Sequence, residues 1–303
     1  MTDSSERQSG FSLSRTLGSV LPEGWIGRGP VIPVLRFTGV IGAGTPLRQG
    51  LSLATCAGAI ERAFSLSNAK AVAIQINSPG GSPVQSRFIY ERIRSLAVEK
   101  KLKVYVFAED VAASGGYLIA LAGDEIYADA SSIVGSIGVI SAGFGFVDLI
   151  HKIGVERRVY TAGEDKIILD PFKPEKPEDV AKLRRIQDIV HQDFIALVKE
   201  RRGRLIEKSD ARLFTGEFWT GRQALELGLI DGIMDIRTKM RALYGEDVRL
   251  RLVSMERGLF RRRPTGVGSV AGLGMGLPEL GRTFATDVIT ALEERAMWAR
   301  YGL

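Results

Sequence analysis

Between residues 30 and about 240 the chain alternates between two hydrophobic periods. The short apolar runs VIPVLRFTGVI, AVAIQIN, KVYVFAE and DEIYAD have the length and β-branched content of strands. Between the first three of them lie LSLATCAGAIERAFSL and SRFIYERIRSLAVEK, whose apolar positions recur at helical spacing. Strands that alternate with helices predict an α/β domain with largely parallel pairing. After Lys166 the pattern lengthens. KPEKPEDVAKLRRIQDIVHQDFIALVKERRG predicts one long amphipathic helix, entered through prolines and ended at Gly203. Its apolar stripe, Leu183, Ile186, Val190, Phe194 and Leu197, needs a partner surface, either its own domain or a neighbouring subunit. LFTGEFWTGRQALELGLIDGI then predicts a turn, a short helix and a strand.

The two ends differ from this middle. Residues 1–29 are rich in Ser, Gly and Arg and are expected to form a flexible arm. Residues 30–253 form the expected main domain, and 254–303 a basic, then glycine-rich tail with a short helix. The basic cluster beside apolar residues has the composition of a peripheral membrane contact, against the plainer reading of a flexible tail. The start has no apolar core of a signal peptide, and no window reaches the ~18 uninterrupted apolar residues of a spanning helix. The expected location is therefore cytoplasmic or peripherally membrane-associated.

Composition changes this picture little. A formal charge of +6 on 303 residues, without base-stacking aromatic motifs or zinc-finger spacing, argues against a nucleic-acid partner. The single cysteine, Cys56, cannot form an intrachain disulfide and sits on the apolar face of a predicted helix, where it reads as a small buried hydrophobe.

Candidate chemistry centres on DVAASGGYLIA. Ser114 follows a strand and opens a helix, flanked by small residues that let a carbonyl approach. A helix start has free N–H groups, so the Gly115 amide is placed to face an oxyanion. Taken alone, Ser114 reads first as a helix cap. One β-α unit earlier, INSPGG leaves the backbone bare at Gly80 and Gly81, and the Gly81 amide is a second candidate donor. The pattern is also that of an ordinary tight turn. The two histidines, His151 and His191, lack an evident orienting carboxylate and read as surface or structural residues. A lysine stripped of water can replace histidine as a base. Lys166 has an apolar run behind it, Ile167 to Leu169, but it is one of many lysines and spacing alone does not select it.

INSPGG, AASGGYLIA, SSIVGSIGVI, KIILDPF and FTGEFWTGRQALELGLID occur in the order found in the signal peptide peptidase A-like serine proteases, peptidase family S49. The chain resembles that family over about 72–232. The resemblance implies a ClpP/crotonase-like fold of repeated β-β-α units with peripheral helices. It implies a serine endopeptidase with a Ser/Lys dyad, Ser114 as nucleophile and Lys166 as general base. It further implies that Ser136 orients the lysine amine, that Gly81 and Gly115 form the oxyanion hole, and that no metal or organic cofactor is required. Expected partners are peptides, such as remnant signal peptides or membrane-protein fragments, and further copies of the chain in a ring. Three features depart from the family pattern. Ile167 stands where a small residue often follows the lysine, no N-terminal membrane anchor is seen, and there is one catalytic unit instead of two. The competing readings are a crotonase-like acyl-CoA enzyme and a non-catalytic membrane-associated scaffold with a protease fold.

Overall fold

A computed structural model describes residues 29–42, 50–163, 166–206, 211–255 and 290–303. The expected N-terminal arm lies almost wholly outside the described residues, as does most of the basic and glycine-rich segment. The strands are β1 (Val31–Thr38), β2 (Ala71–Ser78), β3 (Lys103–Ala113), β4 (Glu125–Ala128), β5 (Ile133–Gly135), β6 (Phe218–Thr220), β7 (Gly232–Ile233) and β8 (Arg249–Leu252). The helices are α1 (Leu53–Phe64), α2 (Pro83–Lys100), α3 (Gly115–Ala120), α4 (Val147–Lys152), α5 (Pro177–Ile206), α6 (Gly221–Glu226) and α7 (Ile236–Tyr244), with a further helix, α8, over 290–299.

The eight strands form one sheet, ordered β6-β5-β3-β2-β1-β8, with β4 and β7 branching from β3. Every pairing is parallel except β5 with β6. The fold is thus α/β with a mainly parallel sheet. Parallel strands covered on both faces read as near-continuous apolar runs. β2 does so, with seven of its eight residues buried and only Gln75 half-exposed. β1, β2 and β3 are joined by the helical crossovers α1 and α2, while β4 and β5 follow one another without a helix between them.

One face of the sheet carries the main core. There α1 contributes Cys56, Ala59, Ile60, Ala63 and Phe64, the stripe its sequence spacing prescribes. A reciprocal pair, Ser52 and Thr55, closes the start of α1. The opposite face is covered by α7, whose Met240 sits on Ile32, Val34, Tyr105, Phe107 and Tyr127. A small third cluster, Val111, Ala113 and Tyr301, lies apart from both.

Helix α5 fulfils its predicted stripe only in its second half. Phe194 and Leu197 are buried, whereas Ile186 is exposed, as is the neighbouring Ile189. The buried half is pinned by arginines. Arg201 donates to the Leu121 and Gly123 carbonyls just past the end of α3, at 2.9 and 2.8 Å. Arg202, itself buried, donates to the Gly228 carbonyl at 2.9 Å and pairs with Asp231 at 2.8 Å. Cations at the carbonyl end of a helix complement its dipole. These bonds fix α3, and α3 begins at the candidate serine.

Candidate active site

Three parallel strands end together, and the turns leaving them carry the candidate residues. β3 is long enough to pair twice along one side, with β4 through Tyr105–Phe107 and with β5 through Val111–Ala113. Ala113 lies opposite Gly135, so Ser114 and Ser136 each follow a paired position. The Ser114 amide donates to the Gly135 carbonyl at 2.8 Å, and the Ser136 amide to the Glu217 carbonyl at 2.8 Å. On the other side of β3, Ser78 pairs with Ala112 after a shift of register that begins at Ile76. Asn77 spans this irregularity. It accepts the Val111 amide at 3.2 Å and donates to Asp110 at 2.6 Å. A side chain thereby replaces the backbone partner that the register shift removes. The Ser78-Pro79-Gly80-Gly81 turn is locked beside Ser114 as a result.

Ser114 stands where a cap would stand but does not act as one. A capping serine is extended and accepts an amide of the first turn. Ser114 has φ 51 and ψ −121, and its side chain makes no capping bond to α3. L-residues seldom adopt that backbone, and holding it costs about 1–3 kcal/mol. The surroundings impose it. All six residues of α3 are buried, and the Leu118 amide donates to the Ser114 carbonyl at 2.9 Å. The hydroxyl is left out of the helix's own hydrogen bonding. This removes the capping alternative that the sequence alone leaves open.

The glycines around Ser114 are dictated by contact. A Cβ on Gly80 would come within 2.7 Å of the Ser114 Cβ. One on Gly81 would lie 2.0 Å from the Ile41 carbonyl oxygen. That carbonyl accepts the Ser82 amide at 2.7 Å, while the Ile41 amide donates to Gly80 at 2.8 Å, so the turn is clamped onto the end of β1. A Cβ on Gly115 would meet the Ser86 hydroxyl at 2.4 Å and the Gly81 nitrogen at 3.4 Å. The Gly81 and Gly115 amides therefore belong to neighbouring turns beside Ser114. Among the described residues, neither donates to a backbone carbonyl.

Gly81→Ala tests this packing. It forces a methyl against backbone and demands a φ of 138 from an L-residue. We expect a loss of about 2 kcal/mol of stability and, if the amide is an oxyanion donor, a fall of about 100-fold in kcat. Thermal melting and steady-state kinetics read the two effects separately.

Ser136 is buried and has φ 53, so a second strained serine borders the first. His191 of α5 places Nε2 3.0 Å from the Ile137 carbonyl, one residue beyond Ser136. A carbonyl only accepts, so Nε2 donates. His191 thus ties α5 to this turn, a structural contact as its sequence context suggested. His151 is exposed on α4. Cys56 is buried in α1, and burial pushes its thiol up, away from nucleophilic use.

Lys166 is placed differently. Its amide donates to the Gly163 carbonyl at 3.3 Å and its side chain is exposed. Ile167 behind it is also exposed, and Ile168 and Leu169 are half-buried. Among the described residues, no hydrogen bond joins Lys166 to Ser114 or Ser136. The structure brings Ser114, Ser136, Gly81 and Gly115 together, and Lys166 is exposed without a hydrogen bond to them among the described residues. Among the described residues, the apolar run behind Lys166 leaves its side chain exposed. Sequence reasoning also missed three contributors: Ser78 and Ser86, which fill the space under the glycines, and the Ile41 carbonyl. The Ile41 carbonyl acts through backbone, so no residue signal marks it.

Comparison with known proteins adds a family context. A family model described as Peptidase family S49 matches residues 97–247. A Synechocystis sp. protein named as a protease is 35% identical over 206 residues, 65% of this chain and 72% of that protein. A Brucella abortus protein named Na(+)/H(+) antiporter NhaA is 54% identical over 295 residues, 97% of this chain but only 40% of that protein. This chain therefore spans well under half of the antiporter-named relative, whose name describes the longer protein. Among the described residues here, no helix is long and apolar enough to cross a membrane. A solved structure, the 1510-N membrane-bound stomatin-specific protease in a mutant form, overlaps 75% of this chain and 98% of its own, at TM-score 0.45 and 18% identity. That likeness is too distant to bear on the site.

Proposed function

This chain belongs to peptidase family S49, and we propose that it is a serine endopeptidase with Ser114 as nucleophile and Lys166 as general base. The observation that carries the reading is the backbone of Ser114. It is held strained at a strand-to-helix turn, free of capping duty, with the Gly80-Gly81 turn packed against it. Strain of this kind persists only where the surrounding structure enforces it, and it concentrates at reactive positions.

In the proposed mechanism the neutral amine of Lys166 takes the proton of Ser114 Oγ, which attacks the scissile carbonyl. The Gly81 and Gly115 amides stabilise the oxyanion. The protonated amine then protonates the leaving nitrogen. Water, activated by the same amine, releases the acyl group and restores Ser114. In this proposal Ser136, at the neighbouring strand end, accepts a hydrogen bond from the amine and orients it. An acyl-CoA reading would use the two amides alone and would leave the strained serine without a task.

In this proposal the base comes from outside the turn cluster. We propose that a neighbouring copy supplies it. The segment that bears Lys166, and the α5 half that follows it, expose Ile140, Phe144, Ile153, Tyr160, Ile186 and Ile189. Apolar surface of this extent asks for cover. A head-to-tail contact that covers it in every copy closes into a ring. Covering this segment would also strip water from Lys166, the condition for a lysine to act as a base. The substrates this site suits are peptides without fixed structure, with small or apolar side chains near the cut, such as remnant signal peptides.

The test is a fluorophosphonate probe on the intact protein, with the labelled peptide located by mass spectrometry. Stoichiometric labelling of Ser114, with parallel loss of hydrolysis of an unstructured peptide, is expected. Labelling elsewhere, or none with peptide turnover intact, overturns the assignment.

A further inference from the structure

We infer that Tyr301 is a positioning residue for the catalytic turns, acting through Pro79 and Ala113 from the opposite side of the sheet to α3. The inference rests on the peptidase reading of Ser114. Tyr301 follows α8, and its amide donates to the Trp298 carbonyl at 2.9 Å, which fixes it at the helix end. Most of α8 is exposed, yet Tyr301 is only 9% exposed. Its ring packs with Val111 and Ala113 of β3, with Ile133 of β5 and Trp298 around them. Phe218 of β6 meets the ring edge-on, 5.1 Å between centroids at 71°. The Tyr301 hydroxyl donates to the Pro79 carbonyl at 3.4 Å.

Pro79, Val111, Ala113 and Ile133 each lie within three residues of a piece of the proposed machinery. Pro79 precedes Gly80 and Gly81, Ala113 precedes Ser114, and Ile133 opens the strand that leads to Ser136. Phe218 follows Glu217, whose carbonyl holds the Ser136 amide. Successive strand residues face opposite sides. Ala112 and Val134 therefore enter the main core with α3, while Val111, Ala113 and Ile133 turn to Tyr301. The strained Ser114 turn is gripped from both sides, by α3 on one and by this single ring on the other. The cluster is separate from the two larger cores, so its loss should loosen the turns before it loosens the fold.

The experiment compares wild type, Tyr301→Ala, Tyr301→Phe and Trp298→Ala as full-length proteins, by steady-state kinetics, thermal melting and hydrogen exchange. Tyr301→Ala is expected to lower kcat by about 10- to 100-fold with KM within about 3-fold, as misplaced reacting groups do. Exchange should quicken in peptides covering 78–82 and 111–118 and stay unchanged in α1 and β1. Tyr301→Phe should recover activity to within about 3-fold of wild type, because a 3.4 Å bond is long for a hydroxyl donor and the ring does most of the packing. Trp298→Ala should shift kcat and local exchange in the same direction as Tyr301→Ala, by less. Wild-type kcat and wild-type exchange in Tyr301→Ala would overturn the inference. So would faster exchange throughout the chain with a collapsed melting point, which marks a general structural role. Should the wild type hydrolyse no peptide, the peptidase reading fails, and the exchange pattern still decides whether Tyr301 holds the turns.

Discussion

Ser114→Ala is expected to abolish peptide hydrolysis and leave the fold unchanged. The hydroxyl makes no capping bond, so its removal strands no amide of α3. Alanine keeps the Cβ and the same strained backbone, so stability should stay within about 0.5 kcal/mol of wild type. Activity should fall by at least about 10⁴-fold, the scale seen when an acyl-transfer nucleophile is lost and only binding and oxyanion stabilisation remain. Ser114→Gly should be as inactive but more stable. Glycine accepts φ 51 without strain, which returns about 1–3 kcal/mol, against roughly 0.5–1 kcal/mol lost to a freer unfolded chain. A net gain of about 1 kcal/mol by thermal melting would show that the serine is kept there against stability. Turnover near wild type in Ser114→Ala would end the nucleophile assignment.

Much of this arrangement was legible in the chain. Long apolar patterns placed β1 to β4, α1, α2 and α5, because burial on one or both faces writes a period into the residues. Shorter elements escaped. β5 and β6 have three residues each, too few for any period. The apolar run KVYVFAE ends at Glu109, short of the strand's true end. The strand continues to Ala113 because both acids are paired, Glu109 with Arg36 of β1 and Asp110 with Asn77 of β2. That continuation places Ser114 directly on a strand end.

The site was readable in the same graded way. Glycines around a serine reveal themselves by composition, so Ser114, Gly81 and Gly115 stood out. The sign of φ at Ser114, which decides between cap and nucleophile, is a tertiary property that no local pattern encodes. Tyr301 lies far along the chain from every turn it touches, and a lone tyrosine after a short helix carries no signal of its partners. The stripe on α5 was visible, but not that half of it would stay uncovered in one chain. That uncovered half and the exposed Lys166 belong to the same question.

Lys166→Arg is expected to lose nearly all activity, because a guanidinium stays protonated and cannot accept the Ser114 proton. A falling rate with kept charge separates this from loss of a mere ion-pair partner, which arginine would preserve. The exposed position of Lys166 sharpens the test. If each site takes Ser114 from one copy and Lys166 from the next, two dead variants should rescue one another. Ser114→Ala and Lys166→Arg chains, unfolded together and refolded as an equal mixture, should form rings in which about a quarter of the sites hold both native residues. Activity should return to about that fraction of wild type, in a species that light scattering shows to be larger than one chain. Two chains that each carry a complete dyad would give no rescue, and the mixture would stay inactive. Full activity in Lys166→Arg, with loss on replacing His151 or His191 in a folded protein, would remove lysine from the mechanism and put a histidine in its place.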